Sequence, residues 1–272
     1  MRSVTANGYL KPALLQIAQA VEKMMLPTDP NHEYGNSDLK NARETFIIND
    51  MTGRPIFFSM CEWGVDNPAL WAGDVGNSWR TTGDIHDSWE RMMYIADQND
   101  KWWEHAKPGS WNDPDMLEVG NGKMSNTEYI THFSLWCLMK APLLIGCDIR
   151  DISADTLNIL TNADAIAVNQ DPLGAQGHKL RSDGDLEVWA GPLEDGSMAA
   201  ILLNRGSTTA LMSITSEDLG WGTRAEFMVF DIWQHKIVGE YTGKYSTEVA
   251  AHGVMFGTFI KQEEITDNSI AF

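Results

Sequence analysis

Acidic side chains recur beside tryptophans in the middle of the sequence, near the ends of short apolar segments. Two carboxylates on either side of a glycosidic bond are sufficient for its hydrolysis, one as general acid/base and one as nucleophile or water activator. Aromatic rings offer flat apolar faces to the C–H surfaces of sugars, and Trp63, Trp79 and Trp111 are available here. The pattern predicts a sugar site, with these candidate carboxylates: Glu62, Asp84, Asp87, Asp113, Asp115 and Asp148.

Each of these residues also has a plain structural interpretation. An Asp beside Gly or Pro often forms a turn or caps a helix, and about half of the tryptophans are expected in the core. Asp113 and Asp115 alone do not make a calcium loop, because no Asp-x-Asp-x-Asp-Gly pattern occurs. The scattered His86, His105 and His132 lack ligand spacing. We therefore expect no metal and no cofactor, and the missing Gly-x-Ser-x-Gly elbow and Gly-rich phosphate loop disfavour esterases and kinases.

Four short apolar segments precede the acidic loops and predict the parallel strands of an α/β fold: Pro55–Ser59, Ser78–Ile85, Ser110–Leu117 and Ala141–Gly146. Apolar residues at three- and four-residue spacing predict helices between and after them, at Ser88–Ala96, Asn126–Met139 and Ser153–Leu160. Residues 65–78 predict a long loop. In parallel α/β folds the loops that follow the strands carry the active site, so the acidic residues are placed where chemistry is expected.

The two ends of the chain differ from this middle part. Residues 1–52 predict a helical segment, with an amphipathic helix at Tyr9–Met25 and a second helix that begins at Ser37 or Asp38 and ends near Ile48. We place a boundary near residue 177, which divides the chain into 1–52, 53–177 and 178–272. The last part predicts an antiparallel β-sandwich or barrel from these short strands: Leu186–Trp189, Met198–Asn204, Ala210–Ile214, Ala225–Ile232, Lys236–Tyr241, Ser246–Val249 and Val254–Phe259.

Overall composition narrows the class of partner. The 272 residues carry a formal net charge of -18, which disfavours nucleic acid and anionic membranes as partners. The sequence contains no run of eighteen apolar residues, so it predicts no membrane span. The first residues lack the pattern of a secretory signal. The 3 cysteines are an odd number, so at least one thiol is expected to be unpaired within the chain.

Several of these stretches together resemble glycoside hydrolase family 27, most closely the α-galactosidases of the plant type. The resemblance extends from about residue 35 to the end and is carried by Gly53–Gly64, Trp79–Ile85, Gly109–Leu117, Ala141–Asp148 and Ile166–Gly177. It implies retaining hydrolysis of terminal α-D-galactosyl residues from α-galactoside substrates. It also implies an α/β fold: the C-terminal half of a (β/α)8 TIM-type barrel followed by an antiparallel β-sandwich domain.

The resemblance assigns roles to individual positions. Asp84 matches the general acid/base, which must stay protonated in the free enzyme and therefore implies a raised pKa. Arg80 matches a residue that binds sugar hydroxyls near the anomeric carbon, and Asp115 matches a carboxylate that accepts hydrogen bonds from the sugar. The full set of implied substrate contacts is Glu62, Trp63, Arg80, Asp115 and Met116.

The sequence departs from the family pattern before residue 53. The nucleophile of the family lies in a Lys-Tyr-Asp-Asn-Cys-like strand end, which is missing here, as is an early tandem Asp pair. Asp29 has suitable spacing before Glu62 but lies in a turn-like Pro27–Pro30 setting. The missing motif also removes the usual disulfide partner of Cys61, which is expected to be a free thiol. We therefore expect a truncated or divergent chain with impaired hydrolysis.

Alternative hypotheses stay open on the sequence alone. The chain could be a non-catalytic galactose-binding remnant or an inactive fragment, or act on α-N-acetylgalactosaminides, although the bulky Trp63 favours the unsubstituted sugar. A half barrel exposes strand edges, so pairing of two chains into a homo-oligomer is a further hypothesis. Family members are typically secreted, vacuolar or lysosomal, and the sequence predicts no particular compartment.

Overall fold

The computed structural model of the protein describes residues 57–262. The helices predicted at Tyr9–Met25 and from Ser37 to Ile48 lie outside the described residues. Three short parallel strands open the described part, in the order β1 (Ser59–Met60), β2 (Ser78–Arg80) and β3 (Trp111–Asp113) across the sheet. β2 and β3 lie within two of the predicted segments, whereas β1 shares only Ser59 with the predicted Pro55–Ser59, whose first two residues lie outside the described residues.

The fourth predicted strand, Ala141–Gly146, is wrong as a strand. It makes a single parallel bridge, in which the Leu117 N–H donates to the Leu144 carbonyl (2.8 Å) and the Gly146 N–H donates to the Leu117 carbonyl (3.0 Å). Pro142 brings no N–H to a ladder. Leu144 and Ile145 are 56% and 52% exposed, so no described strand covers their outer side. A segment bonded on one side over so short a length does not form a regular strand.

Four α-helices follow the strand ends: α1 (Trp89–Asp100), α2 (Asn126–Leu138), α3 (Ala154–Leu160) and α4 (Ala163–Asn169). The first three were predicted, and serine side chains cap them all: Ser88, Ser125 and Ser153 each accept a backbone N–H of the first turn. Helix α4 was not predicted. Asn162 caps it by accepting the N–H groups of Asp164 and Ala165.

Short 3-10 helices fill the connections between these elements. Two of them, Pro68–Leu70 and Ala72–Asp74, lie in the stretch predicted as one long loop. The other two are Trp103–His105 and Ile149–Asp151. They keep the loops near the strand ends compact.

Eight antiparallel strands form the rest of the described chain. They are β4 (His178–Asp183), β5 (Leu186–Pro192), β6 (Met198–Asn204), β7 (Ala210–Thr215), β8 (Glu226–Asp231), β9 (Lys236–Thr242), β10 (Lys244–Val249) and β11 (Val254–Lys261). Six of them make one sheet in the order β4-β5-β6-β11-β8-β9, and β10 pairs with β7 in a second sheet. The sequence predicted seven of the eight. It missed the edge strand β4, whose mostly polar residues show no apolar alternation.

The six-stranded sheet packs on both faces. Trp189 and Ile201 join Trp136 of α2 in the largest core cluster, which connects the helices to the sheet. Their strand neighbours Val188 and Leu202 point the other way into a second cluster, as the two-residue period of a strand requires. The antiparallel domain is therefore built directly onto the helices of the parallel part.

A network of four charged side chains reinforces this junction. Asp97 of α1 and Glu187 of β5 each pair with both Lys179 and Arg205, at 2.6–2.9 Å. Burial alone would raise the pKa of Asp97, but the hydrogen bonds from Arg205 and Lys179 outweigh it and lower that pKa. The two acids and two bases balance in charge, which reduces the cost of their partial burial.

Candidate active site

The predicted site residues lie at one edge of the parallel sheet. Glu62 and Trp63 follow β1, Arg80 ends β2 and leads to Asp84, and Asp113 ends β3 and leads to Asp115 and Met116. Because the three strands are parallel, their carboxyl ends meet at this edge. Within the register, Arg80 is paired directly with Asp113.

Arg80 is the centre of the cluster. One of its terminal nitrogens lies 2.6 Å from Asp115 Oδ2 and 3.3 Å from Asp84 Oδ1. The side chains of Arg80 and Asp115 are each only 8% exposed, whereas that of Asp84 is 76% exposed. A buried ion pair thus supports a carboxylate that faces solvent and is open to a ligand.

Trp63 and Arg91 fix the position of Asp84. The indole Nε1–H of Trp63 donates to Asp84 Oδ1 at 3.0 Å. Arg91, in the first turn of α1, donates from Nε to the Asp84 carbonyl (2.8 Å) and from a terminal nitrogen to the Gly83 and Asp84 carbonyls (both 2.6 Å). Trp63 therefore holds the Asp84 carboxylate, and Arg91 holds the backbone that carries it.

Sequence reasoning missed Arg91. A cation in the first turn of a helix is opposed by the helix dipole, so its placement requires a local partner. That placement three residues after the Ser88 cap was a usable signal. The loop carbonyls of Gly83 and Asp84 are the partners.

Asp115 is held in a specific, unusual backbone conformation. Its φ of 81° lies in a region that non-glycine residues rarely adopt. Its carboxylate accepts the N–H groups of Ile85 (2.7 Å) and Met116 (2.8 Å), and its own N–H donates to Asp113 Oδ1 (2.8 Å). The Asp115 carbonyl accepts Trp136 Nε1–H from α2 (2.8 Å). Strained residues of this kind cluster at functional sites.

Two further groups around Arg80 have perturbed acidity. Burial raises the pKa of Asp113, and the Asp115 N–H and the Arg80 charge oppose that rise. Burial also raises the pKa of the Cys61 thiol, whose sulfur lies 3.8 Å from Arg80 Nη1. Cys61 is a free thiol, as predicted, and so are Cys137 and Cys147.

The wall of the site near β1 depends on a tight turn. Trp63 has φ 54° and Gly64 has φ 78°. A Cβ on Gly64 would lie 2.1 Å from the Thr81 carbonyl oxygen, so only glycine fits there. Glu62 is buried beside this turn, while Trp63 and Met116 keep 39% and 43% of their surfaces exposed. The turn presents the Trp63 ring next to Asp84.

Two of the candidate carboxylates lie apart from this cluster. Asp87 is buried and accepts hydrogen bonds from the Tyr129 hydroxyl (2.8 Å) and the Lys123 N–H (2.7 Å), so it supports a loop. Asp148 pairs with Arg150 on the exposed surface. Neither carboxylate pairs with Arg80 among the described residues.

Two aromatic candidates also have structural positions. Trp79 is 1% exposed and donates to Asn112, so it belongs to the core. His132 is fully buried in α2, where its Nε2 accepts the Glu118 N–H (2.9 Å) and burial lowers its pKa to about 3. It is a core histidine with a structural position, although its Nδ1 has no hydrogen-bond partner among the described residues.

Some expectations concern residues or groups that the structure leaves untested. Asp29, the residue with nucleophile-like spacing, lies outside the described residues. Between residues 57 and 262, no three His, Cys, Asp or Glu side chains are arranged to hold a metal ion. In the same range, no helix is long and apolar enough to cross a membrane.

Comparison with known proteins decides the family. A family model described as "Alpha galactosidase A" matches residues 32–171, and one described as "Alpha galactosidase C-terminal beta sandwich domain" matches residues 183–259. The chain belongs to the α-galactosidase family. The resemblance to glycoside hydrolase family 27 that the motifs indicated is confirmed.

Individual members of the α-galactosidase family show the extent of the match. The chain is 52% identical to α-galactosidase 2 of Arabidopsis thaliana over 212 residues, which are 78% of this chain and 54% of that protein. It is 57% identical to an α-galactosidase of Coffea arabica over 201 residues, 74% of this chain and 53% of that protein. The chain therefore spans about half the length of the curated relatives it matches.

A solved structure confirms the fold class. The crystal structure of α-galactosidase I from Mortierella vinacea matches with a TM-score of 0.77 and 33% identity, over 81% of this chain and 63% of that one. The chain has part of a TIM-type barrel followed by an antiparallel β-sandwich, as predicted. The domain limits at residues 52 and 177 stay predictions.

Proposed function

We propose that this chain acts on terminal α-D-galactosyl groups, with Asp84 as the general acid/base. The observation that carries the proposal is the cluster of Asp84, Trp63, Arg80 and Asp115, in which one exposed carboxylate is held over a buried ion pair. The names of the relatives support the galactoside substrate.

Each residue of the cluster has a proposed role. The exposed Asp84 carboxyl reaches the glycosidic oxygen and donates a proton to it, then accepts one from water. Arg80 donates to sugar hydroxyls, and Asp115 accepts from one, since a carboxylate has about four acceptor sites. Trp63 and Glu62 form the pocket wall, with Met116 beside Asp115.

The nucleophile limits the proposed activity of the chain. Retaining hydrolysis needs a second carboxylate about 5–5.5 Å from the acid, and the sequence has no residue in the family's nucleophile setting. We expect the chain alone to bind galactose and to turn over substrate slowly or not at all. Binding without hydrolysis is therefore the second candidate function.

Two measurements on the full chain test this proposal. Galactose should stabilise the fold against heat in proportion to ligand binding, by about 2.7 kcal/mol at one hundred times the dissociation constant. Turnover of an aryl α-galactoside and of melibiose should be compared for the parent, Asp84→Asn and Asp148→Asn. Asp148→Asn is the matched control, because its carboxylate is exposed and pairs with Arg150 instead of Arg80.

The outcomes separate the two functions. Galactose stabilisation with little turnover supports binding without hydrolysis and the expectation of low activity. Fast turnover that Asp84→Asn abolishes and Asp148→Asn preserves supports the acid assignment and overturns the expectation of low activity. No stabilisation and no turnover would overturn the proposed function itself. The same assays with N-acetylgalactosamine and its aryl α-glycoside test the preference that the Trp63 ring suggests.

The oligomeric state is a separate proposal. Two chains pair through the open side of the parallel part, where the irregular segment with Leu144 and Ile145 makes a single bridge and leaves its outer side exposed. Light scattering of the full chain measures the mass, and a monomer would contradict this pairing.

A further inference from the structure

A second cleft lies between the helices and the antiparallel domain. Its volume is about 520 Å³, and none of the residues that line it belongs to the Asp84 cluster. The α2, α3 and α4 helices form one side, and the turn between β8 and β9 forms the other. Its lining includes Asn126, Asp155, Asn158, Thr161, Trp233 and His235.

Trp233 provides a rigid aromatic wall. Its backbone N–H donates to Asp231 Oδ1 (2.9 Å), and its indole Nε1–H donates to Ser134 Oγ of α2 (2.9 Å). Its ring also meets the Phe133 ring edge-on, with 6.4 Å between centroids. A ring fixed in this way loses little freedom when a ligand stacks on it.

Three exposed polar side chains line the same cleft as this ring. Asn126, Asp155 and Asn158 are exposed, and none of them makes a side-chain hydrogen bond to the part of the chain between residues 57 and 262. Across the cleft, His235 Nδ1 lies 2.6 Å from Asp164 Oδ2, so that pair is already satisfied. The three unused groups offer both donors and acceptors on one side of the aromatic wall.

The chemistry of the lining selects the ligand class. Among the described residues that line the cleft there is no Lys or Arg, and Asp155 brings negative charge, which disfavours anions. An aromatic wall with neutral amides and one carboxylate suits a ring with an apolar C–H face and several hydroxyl groups. We propose that this cleft is a second sugar site, which binds a hexopyranose away from the Asp84 cluster. It goes beyond the proposed function, because it requires no hydrolysis.

The indole N–H signals of the full ¹⁵N-labelled chain distinguish the two sites in one NMR titration. The Trp233 signal reports the cleft and the Trp63 signal reports the Asp84 cluster; Trp233→Phe and Trp63→Phe assign them by removing one signal each. The probes are methyl α-D-galactopyranoside and methyl α-D-glucopyranoside. We expect the Trp233 signal to shift in a saturable manner, including when the Trp63 signal does not respond.

Exposed polar variants then test the cleft without disturbing the fold. One hydrogen bond contributes about 1 kcal/mol. Asn158→Ala and Asp155→Ala should therefore each raise the dissociation constant measured from the Trp233 signal about fivefold. Asp183→Ala, at an exposed strand end outside the cleft, should leave it unchanged. A Trp233 signal that does not shift with either sugar would overturn the second site. An equal Trp233 response in Asn158→Ala, Asp155→Ala and Asp183→Ala would overturn it as well. A silent Trp63 signal counts only against the proposed function.

Discussion

Replacing Asp115 by Asn should destabilise the fold by about 3 kcal/mol, because the change leaves the buried Arg80 guanidinium without its closest counter-charge. The two side chains are each 8% exposed and 2.6 Å apart. The Asp115 carboxylate also accepts the N–H groups of Ile85 and Met116 on its two oxygens. An amide has one oxygen, so at least one of these donors would face an NH2 group and lose its bond, at a cost of about 1–3 kcal/mol.

The assay is urea unfolding of the full chain, followed by tryptophan fluorescence. Asp148→Asn is the matched control, since it makes the same chemical change in an Arg–Asp pair on the surface and should leave the midpoint unchanged. Amide hydrogen exchange in Asp115→Asn should accelerate at Ile85 or Met116, which identifies the donor that lost its partner. Equal midpoints for both variants would refute the idea that the ion pair with Arg80 holds the site together.

Further substitutions test other parts of the site and core. Arg91→Met removes three hydrogen bonds from the loop that carries the proposed acid. Amide exchange in that loop should rise at least about tenfold, and the free energy of unfolding should fall by about 1–2 kcal/mol. The neighbouring Glu90→Met should change neither quantity. Gly64→Ala places a Cβ 2.1 Å from a backbone carbonyl oxygen and should cost about 3 kcal/mol or more by urea unfolding. Gly109→Ala, also at positive φ but with open space around it, should cost about 1 kcal/mol. The pKa of His132 is about 3 when folded, below its unfolded value, so the unfolded chain binds a proton first as the pH falls. Stability should therefore drop from about pH 6.5 downward by about 1.4 kcal/mol per unit, and His132→Gln should remove that part of the slope; identical slopes would contradict the assignment.

Local sequence signals predicted the elements that local interactions determine. Ser125 and Glu128 form a capping box within four residues of each other, so the start of α2 could be predicted from that stretch alone. Helix α4 has seven residues, as many as the predicted α3, and it was missed because Asn162 was not interpreted as the cap that begins a new helix. The segment Ala141–Gly146 misled because its apolar composition fits a strand, whereas strand formation depends on partners from distant parts of the chain.

The candidate site could be predicted as a set of residues but not as an arrangement. The motifs indicated Asp84, Arg80 and Asp115, yet nothing in their spacing showed that Arg80 is buried against one carboxylate and only touches the other. Asp87 was a candidate carboxylate in the same residue pattern as Asp84 and Asp115. Its hydrogen-bond partner Tyr129 lies 42 residues away in the sequence. Contacts at such separations follow from the fold as a whole.

The two faces of the six-stranded sheet determine how this protein can be divided. Separate family models recognise the parallel and antiparallel parts, as if they were exchangeable modules. However, Trp189, Ile201 and Phe256 on one face of the sheet complete the core of the helices. An excised antiparallel part would expose that apolar face to water and promote aggregation. Recombination at residue 177 could succeed only with a partner whose helices present a complementary surface. The boundary between the two parts of the sequence is therefore not a boundary between two independent hydrophobic cores.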